Sequence, residues 1–133
     1  MIFLTEKVFA TAKDLREGKY LLIDDIPCRI VNIETSKSGK HGAAKMRITG
    51  IGVFGNEKKT MLTPGDAEVE VPMIDRKNVQ IMSVSGSTVQ VMDSQTYEMY
   101  DLEIPEELKA NAVAGKEAEI IQAMGKRKIE RLR

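Results

Sequence analysis

Ile26-Pro27-Cys28-Arg29-Ile30-Val31-Asn32-Ile33-Glu34, then Thr35-Ser36-Lys37-Ser38-Gly39-Lys40-His41-Gly42, then Ala43-Ala44-Lys45-Met46-Arg47-Ile48: an apolar run, a polar stretch punctuated by glycine, and a second apolar run. Ile26 to Glu34 reads as a strand. Met46, Ile48, Ile51 and Val53-Phe54 begin another, so the pattern predicts a hairpin. Gly39 and Gly42 bracket Lys40 and His41, and glycine lets a backbone turn sharply without a Cβ clash. This places Lys40 at the apex and predicts an exposed, poorly ordered tip over residues 37–42. From Ser36 to Arg47 the chain carries Lys37, Lys40, Lys45 and Arg47, with His41 and no carboxylate. Such a segment calls for an anionic partner elsewhere. The same charges on a merely solvated tip would serve solubility alone.

Outward from the hairpin, short strands alternate with turn signals. Lys7 to Ala12 reads as a strand, Asp14 to Gly18 as a turn, and Tyr20-Leu21-Leu22-Ile23 as a strand before Asp24-Asp25. Gly55-Asn56-Glu57-Lys58 turns into a strand from Lys59 to Leu62. Thr63-Pro64-Gly65-Asp66 turns again, into Ala67 to Val71, which alternates at period two. Strands this short and this regularly spaced argue for a small barrel.

Pro72 to Lys77 interrupts the pattern and marks the expected boundary, dividing the chain into domains 1–71 and 72–133. Val79 to Val84, Thr88 to Met92 and the alternation of Tyr100, Leu102 and Ile104 read as three strands. Pro105 to Ala110 reads as a short helix, with proline in its first turn and Glu106 and Glu107 at the positive end of the dipole. Glu119 to Met124 and Lys128 to Leu132 are the last two strands. Three strands, a helix and two strands is the order of an oligonucleotide-binding (OB) fold. The fold class expected is therefore all-β, two small barrels in tandem.

The chain has 133 residues, with 20 Lys and Arg against 20 Asp and Glu, so no global field draws it to nucleic acid. Residues 1–70 hold eleven basic and ten acidic residues, a net of +1; residues 71–133 hold nine and ten, a net of −1. Asp93, Glu98, Asp101, Glu103, Glu106 and Glu107 form an acidic band that reads as a solvated face. The basic tail, Lys126, Arg127, Lys128, Arg131 and Arg133, reads as edge protection or as a phosphate-contacting strand. Tyr97 and Tyr100 are a thin set for base stacking.

Several chemistries are excluded. Gly39-Lys40 is followed by His41-Gly42 and a β-like run, not by Ser or Thr and a helix, so it is no phosphate-binding P-loop. One histidine and one cysteine do not make an ordinary zinc site. Cys28 alternates with Ile26 and Ile30, which marks a buried structural thiol. No nucleophile–base pair is suggested, so an enzyme is not expected. No apolar run is long enough for a membrane span and no signal peptide is legible, so the expected location is cytoplasmic.

Thr35 to Gly42 followed by Ala44-Lys45, with Pro27-Cys28-Arg29-Ile30-Val31 upstream and Val69-Glu70-Val71-Pro72 downstream, resembles the translation initiation factor 5A family, relatives of bacterial elongation factor P. The chain looks like the shorter archaeal form. It departs from eukaryotic members at Ala43-Ala44, where they usually carry His-Ala. The resemblance implies an SH3-like first barrel and an OB second barrel. It implies no cofactor, but a modification: Lys40 converted to hypusine, by deoxyhypusine synthase transferring an aminobutyl group from spermidine and, where the pathway is complete, by hydroxylation. It further implies that a monomer binds the ribosome near the E site and directs the modified lysine at the acceptor end of the P-site tRNA. There it would promote slow peptide-bond formation, above all at consecutive prolines. Ser36, Lys37, Ser38, Gly39, His41, Gly42 and Lys45, matching the loop motif, would shape the tip or contact rRNA and tRNA phosphates, with Arg47 beside them. The competing expectation is a stand-alone RNA-binding or RNA-chaperone module without a modified lysine.

Overall fold

In the computed structural model, residues 6–36 and 44–133 are described. The chain divides into two compact units, Met1–Met73 and Ile74–Arg133. Both are built from antiparallel strands, and no α-helix occurs among the described residues.

The first unit contains β1 (Lys7–Thr11), a 3-10 turn at Ala12–Asp14, β2 (Tyr20–Ile23), β3 (Ile26–Ser36), β4 (Lys45–Gly52), β5 (Lys58–Pro64) and β6 (Glu68–Pro72). Strands β2 to β5 form a meander in sequence order, and β1 pairs with β6 in a separate ribbon. Ile23 and Ile26 are register partners, so Asp24-Asp25 is a two-residue hairpin loop. Both aspartates have positive φ, 53° and 64°, as the tight turn that follows strand twist requires. Leu21, Ile23, Cys28, Ile30 and Ile48 are fully or almost fully buried and form the centre of the core. Burial of each large aliphatic side chain contributes roughly 1.5–3 kcal/mol. This is the SH3-like barrel that the resemblance implied.

The second unit contains β7 (Asp75–Ser85), β8 (Thr88–Asp93), β9 (Met99–Glu103), a 3-10 helix at Glu106–Asn111, β10 (Glu117–Ala123) and β11 (Lys126–Leu132). The sheet order is β11-β10-β7-β8-β9, and its end strands β9 and β11 approach each other. This is the OB arrangement, its short helix between the third and fourth strands. Val79, Ile81, Val89, Val91, Ile120 and Ile129 fill its core, with Leu108 of the 3-10 helix packed against them. Gly86 has a positive φ of 62° in the two-residue loop closed by the Ser85–Thr88 pair, which suits glycine at the first loop position.

Two readings of the sequence change, and the expected short helix gains its type. Residues 75–77 do not belong to the break after Pro72: they open β7, because Gln122, Ile121 and Ile120 of β10 pair with them. A ladder partner overrides their polarity. The helix after Pro105 is a 3-10 helix. Asp93 does not lie on a solvated face. It is 3% exposed, and its carboxylate accepts the backbone N–H groups of Gln95 and Thr96 at 2.8 and 3.0 Å. Those two bonds, Thr96 first, hold its carboxyl below the usual carboxylate range, with Lys77 adding attraction at 3.6 Å.

Candidate functional site

The β3–β4 ladder is where the sequence-predicted site is rooted. Its registered pairs run from Cys28–Gly52 to Ser36–Lys45, and residues 37–44 join the two strands. One irregularity interrupts it. Ile30 pairs with Gly50 and Asn32 with Thr49, which leaves Val31 as the extra residue of a β-bulge. Beyond it the side-chain parity shifts by one. Ile33 then meets Ile48 on the core face, and Thr35 meets Met46. Asn32, Glu34 and Ser36 turn to the outer face, opposite Thr49, Arg47 and Lys45.

Three of the expected site residues are therefore placed together. Ser36, Lys45 and Arg47 are all exposed on the outer face at the root of the loop. Strand β5 adds Leu62 opposite Arg47 and Pro64 opposite Lys45. Leu62 is 77% exposed, an apolar side chain on the edge strand beside Arg47. These residues line an open cleft of about 610 Å³ together with Glu34. The backbone on the far side of the loop is anchored: Gly65 donates its N–H to the carbonyl of Ala44 at 2.7 Å, and its own carbonyl accepts from Lys13 at 2.9 Å. The remaining site residues, Lys37, Ser38, Gly39, Lys40, His41 and Gly42, lie outside the described residues, as does the expected exposed tip.

Two features escaped the sequence reading. Glu34 stands opposite Arg47, so the positive segment has a carboxylate at its root. The bulge sets that pairing, and a period-two reading of β3 does not contain it. On the opposite face of the same hairpin, Lys13 and Arg16 line a second cleft with Thr35 and Met46. The Arg16 guanidinium donates to the carbonyls of Lys13 and Leu15 at 3.0 and 2.7 Å, which holds it near the hairpin root. Two cations and one carboxylate thus line each face of the root, Glu34 on one and Glu17 on the other, a net positive arrangement suited to polyanion contact.

The basic tail is different. Arg131 and Arg133 both donate to the carboxylate of Glu119, at 2.8 and 2.7 Å, and these bonds hold Glu119 below its usual range. The Arg127 guanidinium lies 4.1 Å from the centre of the Tyr100 ring and also donates to Gln122. Three of the tail's cations are thus engaged within their own domain. Cys28 is fully buried, and burial pushes its thiol up.

Comparison with known proteins agrees in both halves. A family model described as translation initiation factor 5A-like, N-terminal, matches residues 6–67. A second, described as eukaryotic elongation factor 5A hypusine, DNA-binding OB fold, matches residues 73–133. The chain is 50% identical over 120 residues to translation initiation factor 5A of Archaeoglobus fulgidus, covering 90% of this chain and 94% of that protein. It is 48% identical over 119 residues to the factor of Methanopyrus kandleri, covering 88% of each. Among solved structures, the Methanococcus jannaschii translation initiation factor 5A superposes with a TM-score of 0.90 at 43% identity, over 100% of this chain and 99% of that one. A family protein from Naegleria fowleri superposes at 0.81 and 32% identity, over 97% and 99%.

Proposed function

The chain belongs to the translation initiation factor 5A family, and from that premise we propose that it binds the ribosome and presents Lys40, modified to hypusine, to the acceptor end of the P-site tRNA. The family is one of translation factors rather than enzymes. In this reading the factor performs no bond chemistry of its own. It holds a long cationic arm against RNA so that the ribosome's reactants stay in a productive geometry.

The observation that carries this reading is the β3–β4 ladder itself. It stays paired out to Ser36 and Lys45, with β5 alongside β4 as far as Pro64, so a firmly paired three-stranded stalk leads to the segment containing Lys40. Lys45 and Arg47 on one face, and Lys13 and Arg16 near the other, supply phosphate contacts at its root. Hypusine formation would keep the lysine nitrogen cationic while adding a terminal amine and a hydroxyl, lengthening the reach without changing the stalk. Deoxyhypusine synthase, with spermidine as donor, is the partner required for the aminobutyl transfer, and the hydroxyl requires a separate oxidative hydroxylation.

Intact-mass measurement on the factor purified from its native cell tests the modification, and peptide synthesis on purified ribosomes tests its role. An unmodified mass at Lys40, or equal stimulation by modified and unmodified factor, would overturn the proposal.

A further inference from the structure

The second domain carries a sheet face whose chemistry points to a different partner from that of the hairpin. Register partners on an antiparallel pair share a face. The pairs Gln80–Met92, Ser83–Gln90 and Ser85–Thr88 join β7 to β8. Met92–Met99, Gln90–Asp101 and Thr88–Glu103 join β8 to β9. The alternate residues Val79, Ile81, Val89 and Val91 are buried, with Tyr100 and Leu102 packed against them, so these three rows form the outer surface.

Gln80, Met92 and Met99 make the first row; Ser83, Gln90 and Asp101 the second; Ser85, Thr88 and Glu103 the third. These three rows therefore hold two carboxylates and no lysine or arginine; farther along β7 the same face carries Arg76, which donates to Glu130. Across β10, Glu117 continues the first row beside Gln80. Arg131 and Arg133, on β11 and at the chain end, are drawn to Glu119. Met99 is 47% exposed, and the loop joining β8 to β9 exposes Tyr97 to 70%.

An OB sheet that binds a nucleic-acid strand needs cations to track the phosphates and aromatic rings on which bases stack. This face has carboxylates where those cations would stand. We propose that the outer face of β7, β8 and β9 is a docking surface for a basic protein segment rather than for RNA or DNA. Asp101 and Glu103 attract and orient arginine or lysine side chains. The Met92–Met99 pair receives an apolar side chain, thioethers being adaptable contacts for irregular partners. Tyr97 at the end of the first row offers a ring to a cation. This surface lies wholly within the second domain and does not depend on the role assigned to Lys40.

The test is an NMR titration of the full-length protein with two probes of matched length. One is a twelve-residue peptide rich in arginine and lysine, with leucine at every third position; the other is a twelve-nucleotide single-stranded RNA. The peptide is expected to move the amides of Gln90, Met92, Met99 and Asp101. Asp101→Lys with Glu103→Lys should weaken it by about tenfold, because reversed charges oppose the partner directly. Reversal of Glu106 and Glu107 on the 3-10 helix, off this face, should change affinity less than about twofold. The milder pair Asp101→Asn and Glu103→Gln, expected to weaken binding to a lesser degree, serves if the reversed variant loses its dispersed spectrum. RNA-induced shifts on this face, peptide-induced shifts elsewhere only, no peptide binding, or equal effects of the two reversals would overturn the proposal.

Discussion

Ile30 and Ile33 are three residues apart on one strand, yet both pack into the core of the first domain. A regular strand would send them to opposite faces. The bulge at Val31 resolves the conflict, and it decides which face receives Glu34 and Ser36.

Deleting Val31 should therefore do more than remove an exposed valine. Without the bulge, either Ile33 and Thr35 leave the core face or the ladder slips against β4. The deletion is expected to cost about 2 kcal/mol or more, the scale of one buried isoleucine. Urea unfolding of the deletion beside Val31→Ala measures this. The alanine variant keeps the residue count and should stay within about 0.5 kcal/mol of the wild type.

Gly50 is held to its size by Cys28. A Cβ at position 50 would lie 2.8 Å from the Cys28 Cβ and 3.4 Å from the carbonyl oxygen of Arg29. Neither is the flexible end of a side chain, so Gly50→Ala must displace the β3 backbone. The expected loss is about 1–3 kcal/mol, read as a lower urea midpoint with an unchanged slope. In the wild type the buried, up-shifted Cys28 thiol should react with a thiol reagent only at the rate of unfolding.

Acid should destabilise the second domain through Asp93 and Glu119. Both carboxyls sit below their ordinary values, 3.8 and 4.5, in the folded protein. Their stabilisation is thus fully present above those values and is lost as pH falls through the lower folded ones. Thermal midpoints should be flat between pH 7 and about 5, then decline below about pH 4. Asp93→Asn can still accept the Gln95 and Thr96 N–H groups and should flatten the acid limb. Asp93→Ala removes both bonds, at an expected cost of about 1–2 kcal/mol at neutral pH. An acid limb unchanged in both Asp93→Asn and a Glu119→Gln variant would refute the assignment.

Lys40 separates a specific probe from a basic patch. Arginine keeps the charge at this position but offers no amine for aminobutyl transfer. Lys40→Arg should leave the urea midpoint within about 0.5 kcal/mol of the wild type and retain part of the ribosome affinity. Stimulation of peptide synthesis across proline runs should be lost. Lys37→Arg should be much milder. If the segment were only a basic patch, each cation removed would instead weaken binding alike and lower the salt slope by about one unit per phosphate contact.

Strand alternation made most of the architecture legible before any coordinates. The run Tyr20 to Ile23 is β2 itself, and Asp24-Asp25 is the turn that follows. The order of three strands, a short helix and two strands in the second half carried the OB topology. These are local signals: side-chain period, glycine, proline, and the polarity of neighbours a few residues away. The motif around Lys40 is equally local, which is why it could be read from sequence at all.

What the tertiary structure alone decided is long-range. Whether Asp75 to Lys77 form strand depends on β10, more than forty residues away. Asp93 looks like one member of an acidic run until its loop folds back and gives it two N–H donors. The cationic tail reads as edge protection or a phosphate-contacting strand until Glu119 draws in Arg131 and Arg133. The bulge at Val31 sets Glu34 against Arg47 and turns Ser36 outward beside Lys45. In each case the local sequence is compatible with two arrangements. The choice falls to whichever pairing buries the apolar face while leaving no backbone group or buried charge without a partner, and that sum is taken over residues far apart in the chain.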